Sequence, residues 1–295
     1  MTTKPQTISA FFKQFPDDEA CLQHLFDVRF GQDFPCPKCE KKTRWFRIQA
    51  ERAFSCQWCG NHLHPTVGTP FEKTRTPLQM WFYAIFLFTT TRNGVAAKEL
   101  QRQLGVTYKT AWRMADLIRS HMADVDGDVP IGGHGEIVEA DETFIGGRKA
   151  GGQGGKGKTV VFGMMERGGD VVTEVVPNRR GYTLIPHVIE HVKPGTEIHT
   201  DELNGYRGLV MEGYRHRKVN HSAKEYVRGN VSVNGIEGYW AQLKRTISGT
   251  HIHVSGKHLW KYVKEVEFRF NRRDRAETML AELLTTFGPL TSRRG

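Results

Sequence analysis

Cys36 and Cys39 in "CPKC" and Cys56 and Cys59 in "CQWC" give the spacing C-x2-C-x16-C-x2-C. Two such knuckles can bring four thiolates to one point, which is the donor set of a closed tetrahedral Zn2+ site. Four thiolates leave no open coordination position, so one structural zinc is expected rather than a catalytic one. His62 and His64 come after the second pair and offer substitute ligands, although a four-cysteine site needs neither. The fifth cysteine, Cys21, falls in an amphipathic stretch and is expected as a small core residue.

A second constellation is acidic. The stretch "GEIVEADETFIGG" (135–147) carries Glu136, Glu139, Asp141 and Glu142 in a β-branched run. Strand alternation puts Ile137, Glu139, Asp141 and Thr143 on one face, and Val138, Ala140, Glu142 and Phe144 on the other. That parity does not choose between Glu139 and Asp141. Asp201 ends the run "TEIHTD", and Glu237 lies in "VNGIEGYWAQLKRTI" beside a helical stripe of Ile236, Trp240, Leu243 and Ile247. Lys244 is two turns beyond Glu237 on the same side, with Arg245 next to it. Three carboxylates from separate elements make an all-oxygen donor set that suits Mg2+ or Mn2+. Such a set can hold two ions about 4 Å apart for phosphoryl transfer.

One motif misleads. "GQGGKGKT" (152–159) fits the phosphate-loop pattern, but such a loop must open a helix. The next residues, "VVFGMME", are strand-like, so the match is expected to be a basic hairpin loop.

These residues require positioning elements. Residues 1–33 read as an N-terminal helical segment and 34–76 as a short, turn-rich zinc ribbon. Residues 77–124 read as helices, with "WFYAIFLF" as a buried one. Within them "AAKELQRQLGVTYKTAWRM" resembles a helix-turn-helix: Leu100, Leu104, Val106, Ala111 and Met114 would pack the pair, and Gly105 would turn. Thr107 would cap the second helix, and Thr107, Tyr108, Lys109, Thr110 and Arg113 would face DNA. "ADVDGDVPIGGHG" is a linker, residues 135–275 alternate strands and helices around a mixed sheet, and 276–295 form a tail.

Charge points to the partner. The chain of 295 residues carries a net +10. Residues 92–119 hold six Lys/Arg against two Asp/Glu, and residues 241–295 hold eleven against five, which accounts for the whole excess. Two basic clusters suit a polyanion such as DNA. Arg269, Arg272 and Arg273 are candidates for the same surface. No apolar leader opens the sequence, and its most apolar run is too short to span a bilayer, so no membrane partner is expected.

The stretches "FPCPKC", "HPTVGTPF", "AKELQRQLGVTYKTAWRM", "VEADETFIGG", "VNGIEGYWAQLKR" and "HVSGKHLWKYVKEVEFRFNRR" together resemble a bacterial insertion-sequence DDE transposase of the zinc-ribbon-bearing IS-fifteen-ninety-five type. The resemblance covers nearly the whole chain. It implies an α/β (α+β) fold with a ribonuclease H-like catalytic domain. Its D, D, E triad would fall on Asp141, on Asp201 after 59 intervening residues, and on Glu237 after 35 more. Lys244 would contact DNA near the cut. The implied activity is Mg2+- or Mn2+-dependent cleavage and strand transfer, with two ions per active site. The implied partners are the element's terminal inverted repeats and target DNA, bound by a homodimer or larger assembly in the bacterial cytoplasm at the nucleoid. Two rivals remain: a DNA-binding regulator without catalysis, and a nuclease of the same fold that cuts but does not join.

Overall fold

The computed structural model describes residues 7–127, 129–146, 157–201, 204–218 and 232–288. Most of the phosphate-loop look-alike, residues 152–156, lies outside them. The chain forms two compact units, one within residues 1–121 and 275–295, the other within 122–274.

In the first unit, α1 (Ile8–Gln14) and α2 (Asp18–Arg29) begin at side-chain caps, with Thr7 Oγ1 accepting from Ala10 N and Asp17 Oδ1 from Ala20 N. Cys21 is fully buried on α2, and burial pushes its thiol up to about 12, which fits an inert core residue. Strands β1 (Trp45–Ile48), β2 (Ala53–Cys56) and β3 (His62–Leu63) form an antiparallel ribbon. Helix α3 (Leu78–Thr90) is buried through Trp81, Phe82, Ile85 and Phe88, as expected of "WFYAIFLF". No helix is long and apolar enough to cross a membrane among the described residues.

Helices α4 (Ala97–Leu104) and α5 (Tyr108–Asp126) meet at Gly105, whose φ of 65° is the left-handed cap the turn requires. Thr107 caps α5 by accepting from Thr110 N at 3.2 Å. Leu100, Leu104, Ala111 and Met114 are buried, while Thr107, Tyr108, Lys109 and Arg113 are exposed and Thr110 is half-buried. Helix α5 runs on to Asp126, into the stretch expected as a linker.

The second unit is built on a mixed sheet. Its strands are β4 (Ile137–Ile145), β5 (Thr159–Glu166), β6 (Val171–Val176), β7 (Glu197–Thr200) and β8 (Arg215–Lys218), in the order β6-β5-β4-β7-β8. The pairs β4–β5 and β5–β6 are antiparallel, whereas β4–β7 and β7–β8 are parallel. "TVVFGMME" is therefore a strand, β5, and the phosphate-loop match opens no helix. Helix α6 (Gly181–His191) covers one face, over a core of Val138, Ala140, Phe162 and Met164. Helices α7 (Asn234–Thr246) and α8 (Gly256–Phe270) share a second core with Val161, Met165 and Ile145. The alternation predicted for β4 is kept, because successive residues feed these two cores.

Two expectations change. Part of the expected tail is helix α9 (Met279–Thr285), which buries Leu280, Leu283 and Leu284 in the first unit, against α2 and α3. Arg272 is not a DNA-facing residue: it is buried, ion-paired with Asp126, and stacked over Phe268 at 3.9 Å. Arg269 pairs with Glu265 at 3.3 Å, and Arg273 donates to the Gly169 carbonyl at 3.0 Å.

Candidate functional site

In the ribbon, Cys36 Sγ lies 3.6 Å from Cys59 Sγ, and Cys39 Sγ lies 3.8 Å from Cys56 Sγ. All four sulfurs fall within 4.8 Å of one another. A tetrahedral zinc with 2.3 Å bonds separates its sulfurs by about 3.8 Å, so the cage already has the size of the ion. Each knuckle closes in the same way: Glu40 N donates to Cys36 O at 2.7 Å, and Gly60 N to Cys56 O at 3.0 Å. Burial pushes the Cys56 thiol up, but the Thr43 hydroxyl and the N–H groups of Cys59 and Trp58 more than reverse this, to about 6. At Cys59 the Asn61 N–H favours the thiolate, but burial and the neighbouring sulfurs push that thiol up to about 11, so the thiolate is favoured at Cys56 and not across the whole cage. His62 and His64 are exposed beside Glu51 and are not part of the cage.

The acids gather at the centre of the mixed sheet. Parallel pairing of Ala140 with Thr200 brings the next residues close together: Asp141, in the middle of β4, and Asp201, just past the end of β7. Asp141 is largely buried, and burial first, then the charges of Glu142 and Asp201, push its carboxyl up to about 7. Two N–H donors act against this rise, the Glu142 backbone and the Trp240 indole, whose Nε1 donates to Asp141 Oδ2 at 2.9 Å. Trp240 stands one turn beyond Glu237 on α7, so this bond holds the helix carrying the third acid against the strand carrying the first. Glu237 lies on the exposed edge of α7 with Lys244 and Arg245 further along, while Ile236, Trp240, Leu243 and Ile247 are buried as the stripe predicted. The carboxylates of Asp141, Asp201 and Glu237 do not all lie within 4.8 Å of one another, unlike the sulfurs.

Glu139 has a separate task. It is buried, and its Oε2 accepts from Gly235 N at 2.8 Å and Ile236 N at 3.1 Å. These are the first-turn N–H groups of α7, and the N-cap residue Val233 supplies no capping side chain. A carboxylate from β4 therefore caps a helix almost a hundred residues away and complements its dipole. Arg167 donates to Glu139 Oε1 at 2.9 Å and balances the buried charge. His199 continues the network: its Nε2 is 2.9 Å from Glu197 Oε1, which leaves Nδ1 to accept from Arg167 at 3.3 Å.

Two glycines permit this packing. A Cβ on Gly235 would meet Glu139 Oε2 at 2.9 Å. One on Gly163, the cross-strand partner of Asp141, would meet Trp240 Cη2 at 2.5 Å. Glu142, on the other face, accepts from Tyr206 Oη at 2.6 Å and from Arg179 at 3.2 Å, which ties β4 to the 3-10 turn Asn204–Val210 and to the segment before α6. Sequence reasoning missed the helix start that Glu139 caps and the roles of Gly163, Trp240 and Tyr206. The one available signal was a helix start, "SVNGIE", with no acid or hydroxyl at its capping position.

Residues 133–271 match the ISXO2-like transposase domain, and residues 16–62 match the transposase zinc-ribbon domain. Over 104 residues the chain is 34% identical to an uncharacterized transposase-like protein of Haemophilus influenzae, covering 83% of that protein and 35% of this chain. The chain belongs to the ISXO2-like transposase family. It is also 25% identical over 283 residues to an uncharacterized protein in transposable element ISH50 of Halobacterium salinarum, with 87% of this chain and 92% of that protein covered. Within the transposase domain lie Asp141, Asp201, Glu237, Lys244 and Arg245, and within the ribbon lie all four zinc-cage cysteines. Helices α4 and α5 fall outside both matched segments.

Proposed function

We propose that this transposase cuts DNA at the terminal inverted repeats of its element and joins the freed 3′ ends to target DNA, with Asp141, Asp201 and Glu237 holding divalent cations in a ribonuclease H-like domain. The observation that carries the reading is the adjacency of Asp141 and Asp201 on parallel strands, with α7 hydrogen-bonded to Asp141 through Trp240. The donor set fits the ions: it is all oxygen, and Asp141 is raised first by burial and then by the charges of Glu142 and Asp201, charges that a cation would relieve. Asp141, Asp201 and Glu237 would together hold two such ions. Bound there, Mg2+ or Mn2+ would supply Lewis-acid stabilisation of phosphoryl oxygens and a lowered pKa for the attacking water.

The chain's own contribution is positioning and charge. Trp240 and Glu139 hold α7 in register with β4. Lys244 and Arg245, exposed beyond Glu237, are set to take phosphates of the strand being cut. Thr107, Tyr108, Lys109, Thr110 and Arg113 at the start of α5 form the DNA-reading surface of a helix-turn-helix, and the ribbon adds a second DNA contact. Joining two element ends calls for a dimer or larger assembly on DNA.

The test offers inverted-repeat duplex and Mg2+ to wild type and Asp141→Ala, with binding monitored by gel shift. Equal binding with cleavage and joining only by wild type is expected. Equal cutting by both rejects the site; cutting without joining makes the chain a nuclease, and binding alone makes it a regulator.

A further inference from the structure

Ile252 is 86% exposed, and its backbone has φ 63° and ψ −58°. His253 N donates to His251 O at 2.6 Å across it, which closes a γ-turn of the strained, positive-φ kind. A β-branched residue rarely adopts this conformation, and strain of this sort concentrates at functional sites. The turn comes directly after a widened π turn, Ile247–His251, that extends α7.

Ile252 borders a groove of about 520 Å³ with Ile145, Ile247 and Val254 among its walls, Lys158 and Lys244 on its lining, and no acid lining it among the described residues. The groove is in line with the acids. Ile145 is four residues beyond Asp141 on the same face of β4, about 13 Å away. Lys244 is seven residues beyond Glu237 on α7, about 10 Å away. At about 3.4 Å per base step, the groove is some three to four steps from the acids.

We propose that Ile252 is a wedge that enters the DNA stack near the cut, and that the groove receives the displaced nucleotide. The base would rest on Ile145, Ile247 and Val254, and its flanking phosphates on Lys158 and Lys244. The chemistry agrees at each point: an aliphatic side chain fixed in solvent gains contact by entering a base step, apolar walls suit a base, and two ammonium groups without a lining acid suit phosphates. The inference rests on the transposase reading, because it takes the cut strand as the occupant.

The probe is an inverted-repeat duplex with 2-aminopurine placed in turn at each of six positions on either side of the element end. Full-length protein carrying Asp141→Asn binds it in Mg2+. Fluorescence is expected to rise several-fold at one position, about three to four nucleotides from the cut, and to return to the duplex level when Ile252→Ser is added. In an otherwise wild-type chain, Ile252→Ser should cut paired duplex about tenfold more slowly and recover to within about twofold on a duplex mismatched at that position. A purely structural role would slow both substrates alike. No rise at any position, a rise that persists without Ile252, or equal slowing on both duplexes overturns the wedge. If wild type cuts neither duplex, the transposase reading fails instead, and the fluorescence arm still decides whether Ile252 unstacks bound DNA.

Discussion

Replacing Glu139 by Gln tests how the site is assembled. The change keeps the shape and removes the charge. Wild-type Glu139 accepts two α7 N–H groups on one oxygen and Arg167 on the other. Glutamine has one carbonyl, so it can serve the helix or Arg167, and its NH2 must face the donors it leaves. Hydrogen bonds to charged groups contribute about 1.5–3 kcal/mol each, and breaking a buried pair costs about 3–5 kcal/mol. Arg167 is about one-third exposed and regains water, so the lower end applies, about 3 kcal/mol. At about 2–4 °C per kcal/mol for a unit of this size, the melting temperature should fall by about 6–12 °C.

Trp240 lies at the joint, so its fluorescence reports the transition. Cleavage measured well below both melting temperatures should drop by about 10²-fold, the effect of a misplacement near 1 Å, and should remain dependent on Mg2+. Glu139→Asp should not restore it, because the shorter side chain cannot reach the helix. If Glu139→Gln melts within about 1 °C of wild type, the capping argument fails. If it also abolishes cleavage as Asp141→Asn does, Glu139 is itself a metal ligand.

Gly163→Ala should push the Trp240 ring off Asp141 at an overpacking cost of about 1–3 kcal/mol; normal melting and normal cutting together would show that the ring has room to move. Cys56→Ser should reduce bound zinc from one ion per chain to none by metal analysis and loosen the ribbon, and retained zinc would point to other ligands such as His62 and His64. Glu267 is buried beside Thr173 and Lys264, and burial, partly offset by the Lys264 charge, raises its carboxyl from 4.5 to about 7. The folded state therefore binds its proton more tightly than the unfolded state, so stability is lost as pH rises from about 4.5 through 7, by at most about 3 kcal/mol. Glu267→Gln should remove that part of the slope in urea midpoints measured between pH 4.5 and 8; an unchanged slope would refute it.

Local spacing determined much of this protein. The zinc cage was legible because each cysteine pair sits on one short turn, and two turns at that separation can meet only through a small ribbon. The faces of β4 were legible because alternation is a property of the extended backbone, and the α7 stripe because 3.6 residues make a turn. Helix α9 was not legible: seven residues have weak helical preference alone, and packing on α2 and α3 supplies what propensity does not.

Strand parity left Glu139 and Asp141 open and the family resemblance pointed to Asp141; only the tertiary structure gives the two acids their different partners. Both are acids on one face, two residues apart, and nothing local separates them. What separates them is where α7 arrives. Its first-turn N–H groups meet Glu139, and its indole meets Asp141 through the gap that Gly163 leaves. A carboxylate that accepts helix N–H groups and an arginine has its charge balanced by protein, whereas Asp141, set beside Glu142 and Asp201, is the one that the proposed function gives to a cation. The residue type sets the charge, and the partners brought by the fold set what that charge does.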